Sequence, residues 1–405
     1  MGLAHLWHPM SSRNPFNFPQ IEARRYRGAL LRAQQAIERS GQAVLGPGVA
    51  GFEADLASWM GRGLRAEQVI GVANGTDAIE LALHACGVRA GDPVAMPSHT
   101  AYATAAAVLR LGAVPLFVDI AASRPVIDAS ALRIRLAQPP SGLSVKAVIA
   151  VHLYGEACDL QELLKVCREH GVPLIEDCAQ ACGSQYRGER VGTWGDYACF
   201  SFYPTKNLAA CGDGGALVTR AEGESLEQIR RLRFYGWDRS REAVQWGVNS
   251  RLDEIQALLL QAKLQHLAQR INQRRRVAEW YRQGLSPLLS NTALRKLPAD
   301  GPDWRHSYHL YVIEVDPECR PALLEYCLSK GIPAGVHYPK ACHQQTFLQN
   351  LATWTNRKEC VASREALPNT ERLVSQILTL PLHPYLGRNA VERVLRVVRQ
   401  GLKNN

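Results

Sequence analysis

The stretch "ACFSFYPTKNLAACGDGGALVT", residues 198–219, decides the reading of the whole chain. An apolar, aromatic run presents one lysine, Lys206, then turns through Gly212, Gly214 and Gly215 into a second apolar run. Both runs read as buried strands, so the junction between them lies at the edge of a sheet. A lysine at such a junction is ordinarily a solvated side chain, because lysine is rarely buried without a partner or a task. Whether it has a task depends on what the neighbouring strands bring beside it.

Apolar, β-branched runs of strand length recur on either side: "QVIGVAN" (68–74), "DPVAMPS" (92–98), "VPLFVDI" (114–120), "AVIAVHLYG" (147–155), "VPLIEDCA" (172–179), "YACFSFY" (197–203) and "GALVT" (215–219). Helical patterns separate most of them, among them "TDAIELALHACG" (76–87), "TAYATAAAVLRLG" (100–112) and "DLQELLKVCREHG" (159–171). In the last, Asp159 is expected to cap the start and Gly171 the end. Continuous apolar strands alternating with helices predict an α/β fold with a largely parallel sheet covered on both faces. A long helix over roughly 251–284 then leads to further strands in "HSYHLYVIEV" (306–315), "IPAGVHYP" (332–339) and "ILTLPL" (377–382). The expected division is an N-terminal arm (1–20), a large domain (21–260) and a smaller C-terminal α/β domain (261–405).

The bulk properties bound the function. The 405 residues are 46% apolar and 21% charged, as in an ordinary soluble protein. The start lacks a basic region followed by a long apolar run, and no apolar stretch reaches membrane-span length, so a cytoplasmic protein without a membrane partner is expected. Eleven cysteines, an odd number in apolar segments, suit reduced thiols. Cys178 and Cys182 lie close together, but no second Cys/His pair has metal-site spacing, so they read as small buried hydrophobes and no metal is expected. The formal charge of +10 would suit nucleic acid only if a basic stripe lay on a recognisable module. The densest clusters, "RRLRFYGWDRSR" (230–241) and "RINQRRR" (270–276), lie in no such module. The second continues the pattern Ile255, Leu258, Leu259, Ala262, so its arginines read as a solvated helix face, and nucleic acid is not an expected partner.

Ligands of α/β sheets gather at the carboxyl ends of strands, and three ends here carry suggestive groups. "GVANGTDAIE" ends a strand and opens a helix, so Gly75 and Thr76 offer N–H groups and a hydroxyl at a helix N-terminus, which is a phosphate cradle. The G-x-G-x-x-G spacing is missing, which disfavours an NAD oxidoreductase. "VPLIEDCAQACGS" ends its strand in Glu176-Asp177, and a carboxylate leaving a buried strand must find a cation or hydrogen bonds. "SFYPTKNL" supplies Ser201 and Lys206. A phosphate cup, a buried carboxylate and an amine together meet the needs of pyridoxal phosphate: a lysine for the Schiff base, an acid for the ring nitrogen, and an anchor for the phosphate.

These motifs resemble the DegT/StrS family of nucleotide-sugar aminotransferases, which are fold-type I pyridoxal-phosphate enzymes. The resemblance rests on "VANGTDAIELAL", "PSHTAYATAAAV", "EDCAQACGS", "GDYACFSFYPTKNLAACGDGGALVT", "GVNSRLDEIQA" and "HLYVI", in this order from about Asn17 to the C-terminus. It implies a mostly parallel, mixed seven-stranded sheet between helices plus a smaller C-terminal α/β domain. It implies that Lys206 forms the Schiff base and moves the proton, that Asp177 partners the ring nitrogen, and that Gln180 lies near the phenolic oxygen. Gly75, Thr76 and Ser201 match phosphate ligands, Tyr102 the stacking aromatic, and Asn249 a phosphate ligand from the second subunit of a homodimer with shared sites. Ala209 departs from the family's glycine after "TKNL", and "YPKACHQQTFL" (338–348) is only a loose match to the substrate-side segment.

The function implied is amination of a keto group on a nucleotide-linked deoxysugar, with L-glutamate as amino donor. "RFYGWDRS", "SFYPTKNL" and "GVHYPKACHQ" most resemble members acting on dTDP-3-keto-6-deoxyhexoses, with 4-keto sugars and keto-cyclitols as alternatives. Tyr203, Tyr308 and Tyr338 are the candidate sugar contacts and Arg231 the candidate diphosphate contact. A regulatory or non-catalytic relative is opposed by the presence of Lys206, Asp177 and Gln180. A dehydratase relative is opposed by Lys206 itself, which such members replace.

Overall fold

Seven strands form the main sheet in the order β1-β9-β8-β5-β4-β2-β3. In chain order the strands are β1 (Val69–Val72), β2 (Pro93–Pro97), β3 (Val114–Val118), β4 (Ala147–Val151), β5 (Leu174–Asp177), the two-residue β6 (Gln185–Tyr186) and β7 (Glu189–Arg190), then β8 (Tyr197–Ser201) and β9 (Gly215–Thr219). Only β9 runs antiparallel to its neighbours, β1 and β8. The computed structural model describes residues 18–139, 144–290, 292–350 and 366–403, so most of the expected arm lies outside the described residues. Every strand expected between residues 68 and 219 is present.

The sheet's strands are buried on both faces, and the residues around them form two apolar clusters. Phe52, Leu56, Phe200, Phe202 and Leu260 belong to one cluster, and Ile70, Leu81, Phe117 and Ile149 to the other. This two-sided burial is why the strands read as continuous apolar runs instead of alternating ones. The helix Leu160–Glu169 starts on the Asp159 side chain, which accepts from the Glu162 N–H, and ends before Gly171 at φ 65°. Both caps were legible in the sequence.

A second, antiparallel sheet, β10 (Leu294–Lys296), β12 (Tyr311–Val315) and β13 (Ile377–Leu380), carries its own core of Tyr281, Ile313, Leu323, Val394 and Val398. A third small sheet pairs β11 (Trp304–Arg305) with β6, which ties the chain after the long helices to the main body.

Three sequence expectations are corrected. The long helix is two helices, Glu254–Leu264 and Leu267–Leu285, because the break at Gln265 and His266 turns the chain from one core to another. Ala257 and Leu260 face the main-sheet core, while Val277, Tyr281 and Leu285 face the small-sheet core. The run "IPAGVHYP" is not a strand: it makes one bridge, Gly335 to Thr379, and then leaves the sheet. Pro333 and Pro339 lack ladder donors, and the side chains between them are used elsewhere, as described below. The arginines of "RINQRRR" are not all solvated. Arg270 is buried against Glu22 at 2.6 Å, and buried Arg274 donates to the carbonyls of Tyr308 and His309 at 3.2 and 3.3 Å. A helix-face pattern shows which residues point inward but not that an inward arginine meets a carboxylate or exposed carbonyls.

Candidate active site

The main sheet sends six strands the same way, so the residues that follow their carboxyl ends converge on one edge. β5 delivers Asp177, 4% exposed, and β8 delivers Ser201 and, after a tight turn, Lys206. That turn is closed by the Lys206 N–H donating to the Tyr203 carbonyl at 2.8 Å. Burial pulls the Lys206 amine down to about 8, with the nearby Asp177 charge opposing the shift. Burial pushes the Asp177 carboxyl above its ordinary value, more than the Ala179 N–H, the Thr104 hydroxyl and Lys206 pull it down. Thr104 donates to Asp177 Oδ2 at 2.9 Å, and the Ala179 N–H to Oδ1 at 3.1 Å.

β1 leads into Asn74, whose side chain caps the helix Gly75–Ala85 by accepting from the Asp77 N–H at 2.9 Å. The first N–H groups of a helix lack intrahelical partners, so Gly75 and Thr76 present theirs outward. Two close approaches demand glycine here. A Cβ on Gly75 would stand 2.7 Å from Ser201 Cβ, and one on Gly215 would stand 2.5 Å from the Asn74 carbonyl. The chain thus keeps a bare cradle between the helix start and Ser201. The motif "GVNSRLDEIQA" supports this turn from below: the Ser250 hydroxyl accepts from the Ala73 N–H at 3.1 Å and donates to Asp77 Oδ2 at 2.7 Å. Glu254, from the same motif, is buried and accepts the N–H groups of Gly46, Gly48 and Val49 at the start of the helix Pro47–Met60.

Tyr102 opens the helix Tyr102–Arg110 just beyond β2 and is 38% exposed. Gln180 lies one turn past Asp177; its Oε1 accepts the Tyr154 N–H at 2.8 Å and its Nε2 donates to the Tyr338 hydroxyl at 3.0 Å. Tyr203 lies exposed beside the Lys206 turn, at 45%. Ala209 does not adopt a positive φ, so the departure from glycine there needs no unusual backbone, and its carbonyl accepts from Lys263 at 2.7 Å. Asn249 is exposed and bridges Phe234. Arg231 pairs with Glu224 on its own helix at 3.0 Å, and no described contact joins it to Lys206 or Asp177 within one chain. Tyr308 does not join the group either: its ring stacks on His306 and lies in the small-sheet core.

Four residues near the site escaped sequence reading. Thr104 could have been suspected, since it sits one helical step past Tyr102 in "TAYATAAAV". His309 and His337 come from the small-sheet side, and the positive charge of Lys206 adds to burial in holding both imidazoles below their ordinary range. Tyr154 follows β4 and reaches both sides of the site. None of these three has a local signature. The one cluster with metal-ligand chemistry among the described residues, His152, Glu176 and Cys178, has its imidazole and its carboxylate engaged already. His152 Nδ1 accepts the Cys158 N–H, and Glu176 accepts from Gly192, Trp194, Gly195 and His152.

An amine of lowered basicity, a buried carboxylate beside it and an uncrowded anion cradle at the edge of a mixed seven-stranded sheet define a fold-type I pyridoxal-phosphate-dependent aminotransferase. The residues fit the cofactor: the cradle is held open by Gly75, and the buried Asp177 lacks a full set of donors. The chain belongs to the DegT/DnrJ/EryC1/StrS aminotransferase family, whose pattern matches residues 26–399. It is 38% identical, over 82% of its length and 84% of the relative's, to a UDP-N-acetyl-3-dehydro-α-D-glucosamine 3-aminotransferase of Acidithiobacillus ferrooxidans. It is 37% identical, over 94% and 96%, to a dTDP-3-amino-3,4,6-trideoxy-α-D-glucose transaminase of Micromonospora megalomicea subsp. nigra. Among solved structures it is similar to S. venezuelae DesV in complex with a ketimine intermediate, with a TM-score of 0.83 and 34% identity over 94% of this chain and 96% of that one.

Proposed function

We propose that this enzyme transfers an amino group to the C3 keto carbon of a nucleotide-linked sugar in the cytoplasm, with dTDP-3-keto-6-deoxyhexose as the best-fitting substrate and L-glutamate as donor. The observation that carries the chemistry is Lys206, lowered to about 8 beside a buried Asp177. Both relatives quoted above are named for reactions at C3 of a nucleotide sugar, one dTDP-linked and one UDP-linked, which supports the regiochemistry. When bound, pyridoxal phosphate supplies a protonated ring that withdraws the electron pair left on the reacting carbon.

The chain's own residues then have defined tasks. Asp177, oriented by Thr104 and the Ala179 N–H but left short of charge stabilisation by its burial, would pair with the ring nitrogen and keep it protonated. Gly75, Thr76 and Ser201 bind the phosphate, with Asn249 reaching across from the second subunit of a homodimer. With the cofactor bound, Tyr102 would stack on its ring and Gln180 would donate toward its phenolic oxygen. Lys206 would move the proton at the substrate carbon, and its lowered basicity makes the neutral amine available near neutral pH. Tyr203 and Tyr338 line the substrate side. Tyr203, Tyr235, Val244 and Trp246 are large apolar side chains left exposed on the single chain, as residues that a second subunit covers would be.

The test offers dTDP-3-keto-6-deoxyhexose, the UDP-linked 3-keto sugar, a 4-keto-6-deoxy nucleotide sugar and a keto-inositol in parallel with glutamate. Amination of a 3-keto nucleotide sugar is expected. Turnover of the 4-keto sugar or the cyclitol alone would leave the aminotransferase standing and overturn the regiochemistry.

A further inference from the structure

Tyr154 is the residue on which the two halves of the site meet. It follows β4 with φ 61°, a left-handed conformation uncommon for a side chain of this size, and Gly155 continues the turn at φ 99°. This turn aims the main chain in two directions. The Tyr154 N–H donates to Gln180 Oε1 at 2.8 Å, while its carbonyl accepts the Leu310 N–H at 3.2 Å, beside His309. The phenol, 4% exposed, makes two more bonds. It donates to the main-chain carbonyl of His337, and it lies 2.6 Å from His99 Nε2.

Those two bonds fix the hydrogens. The hydroxyl proton points to His337, so His99 must donate from Nε2, which leaves its buried Nδ1 without a proton or a partner. Burial holds His99 at about 4 and pushes the Tyr154 phenol well above its ordinary value. Both groups are therefore neutral near pH 7, and the bond between them does not titrate there. Gln180 completes the circuit by donating to the Tyr338 hydroxyl. One residue thus joins the segments after β2 and β5, through its phenol and its main-chain N–H respectively, and seats the stretch 337–338, which left its expected strand to reach this point.

We infer that Tyr154 is a positioning residue that locks the segment Val336–Tyr338 onto Gln180, so that seating of this segment and orientation of the Gln180 amide are one event. The inference rests on the proposed role of Gln180 beside the cofactor ring, but the lock itself is a property of the protein alone. Tyr154→Phe removes both phenol bonds and keeps the backbone turn and the N–H to Gln180. It also leaves the His99 Nε2–H and the His337 carbonyl unpaired.

The test follows amide hydrogen exchange in the full-length enzyme, with and without pyridoxal phosphate, for residues 335–338 against β4 as internal control. In Tyr154→Phe, exchange at 335–338 is expected to accelerate about tenfold, with β4 unchanged. In the holoenzyme the pH midpoint of the visible absorption band is expected to shift, Tyr338→Phe to shift it the same way, and the double variant to go no further than the larger single change. Unchanged exchange at 335–338, or fully additive spectral shifts, would overturn the inference. If no visible band forms at all, the proposed function fails while the exchange measurement still decides the lock. Should Tyr154→Phe not fold, His99→Leu removes one of the two phenol contacts, since leucine offers no donor, and about threefold faster exchange in the same segment is expected; no change there sinks the idea.

Discussion

Glu176 and Asp177 are adjacent, both buried, and both at the end of β5, yet they enter different surroundings because successive side chains of a strand point to opposite faces. Glu176 meets a loop wrapped around it: the N–H groups of Gly192, Trp194 and Gly195 donate at 2.7, 2.8 and 2.8 Å, and His152 lies at 3.0 Å. Burial would raise its pKa, but His152 and these amides outweigh it, and the carboxyl lies below its ordinary value. Asp177 receives only Thr104 and the Ala179 N–H, and burial wins. The saturated carboxylate is structural. The under-served one has room for a further cationic partner beside Lys206, which is the place proposed above for a protonated ring nitrogen.

The largest effect expected on the working side of this comparison comes from Lys206→Ala, which removes the amine proposed to bind the cofactor covalently and to move the proton. Turnover should fall by at least about a thousandfold, and the lysine-dependent visible band should be lost. Activity near the wild-type level would break the assignment of this face as catalytic.

Next comes the pair itself. Asp177→Asn should cost roughly a thousandfold in rate, or about 4 kcal/mol of barrier, while leaving the cofactor-free protein no less stable at pH 7. The sign follows from linkage: the folded pKa lies above the unfolded one, so ionising Asp177 costs stability as pH rises through that window. Glu176→Gln should do the reverse, because its folded pKa is lowered and its stabilisation is present above the unfolded value and lost as pH falls. A loss of about 3 kcal/mol in unfolding free energy is expected, with a rate per folded molecule within about tenfold of wild type. Denaturant titration of both variants beside single-turnover rates checks the contrast, and equal stability losses would erase it.

Shared sites sharpen the comparison further. Mixing Asn249→Ala with Lys206→Ala subunits, with heterodimers demonstrated, should restore up to about a quarter of wild-type activity in the mixture, as expected if one of the two sites of a heterodimer is intact and heterodimers form about half of a random mixture. No recovery would place the whole site in one chain. A smaller effect concerns the amine's charge. In the cofactor-free protein the rate of pyridoxal phosphate capture should rise about tenfold per pH unit and flatten near pH 8, since the lowered pKa leaves Lys206 neutral above that point. A rise continuing toward pH 10 would mean an unperturbed lysine.

The sequence by itself determined the main sheet, because strands buried on both faces must be continuously apolar and the helices between them must be capped; Asp159 and Gly171 are read as easily as they are seen. It also placed the candidate groups, since Asp177 and Ser201 end their strands while Gly75 and Lys206 follow within a few residues of theirs. Tertiary structure alone decided which buried charges are satisfied. Arg270 and Arg274 read as a solvated face and instead meet Glu22 and bare carbonyls, and Glu176 and Asp177 differ only in what the far chain brings to each. It also decided that "IPAGVHYP" leaves its sheet to reach Tyr154 and Gln180, partners more than 150 positions away in sequence. Local pattern records which way a side chain points. Its partner is set by long-range packing, and for buried polar groups the partner determines both energy and function.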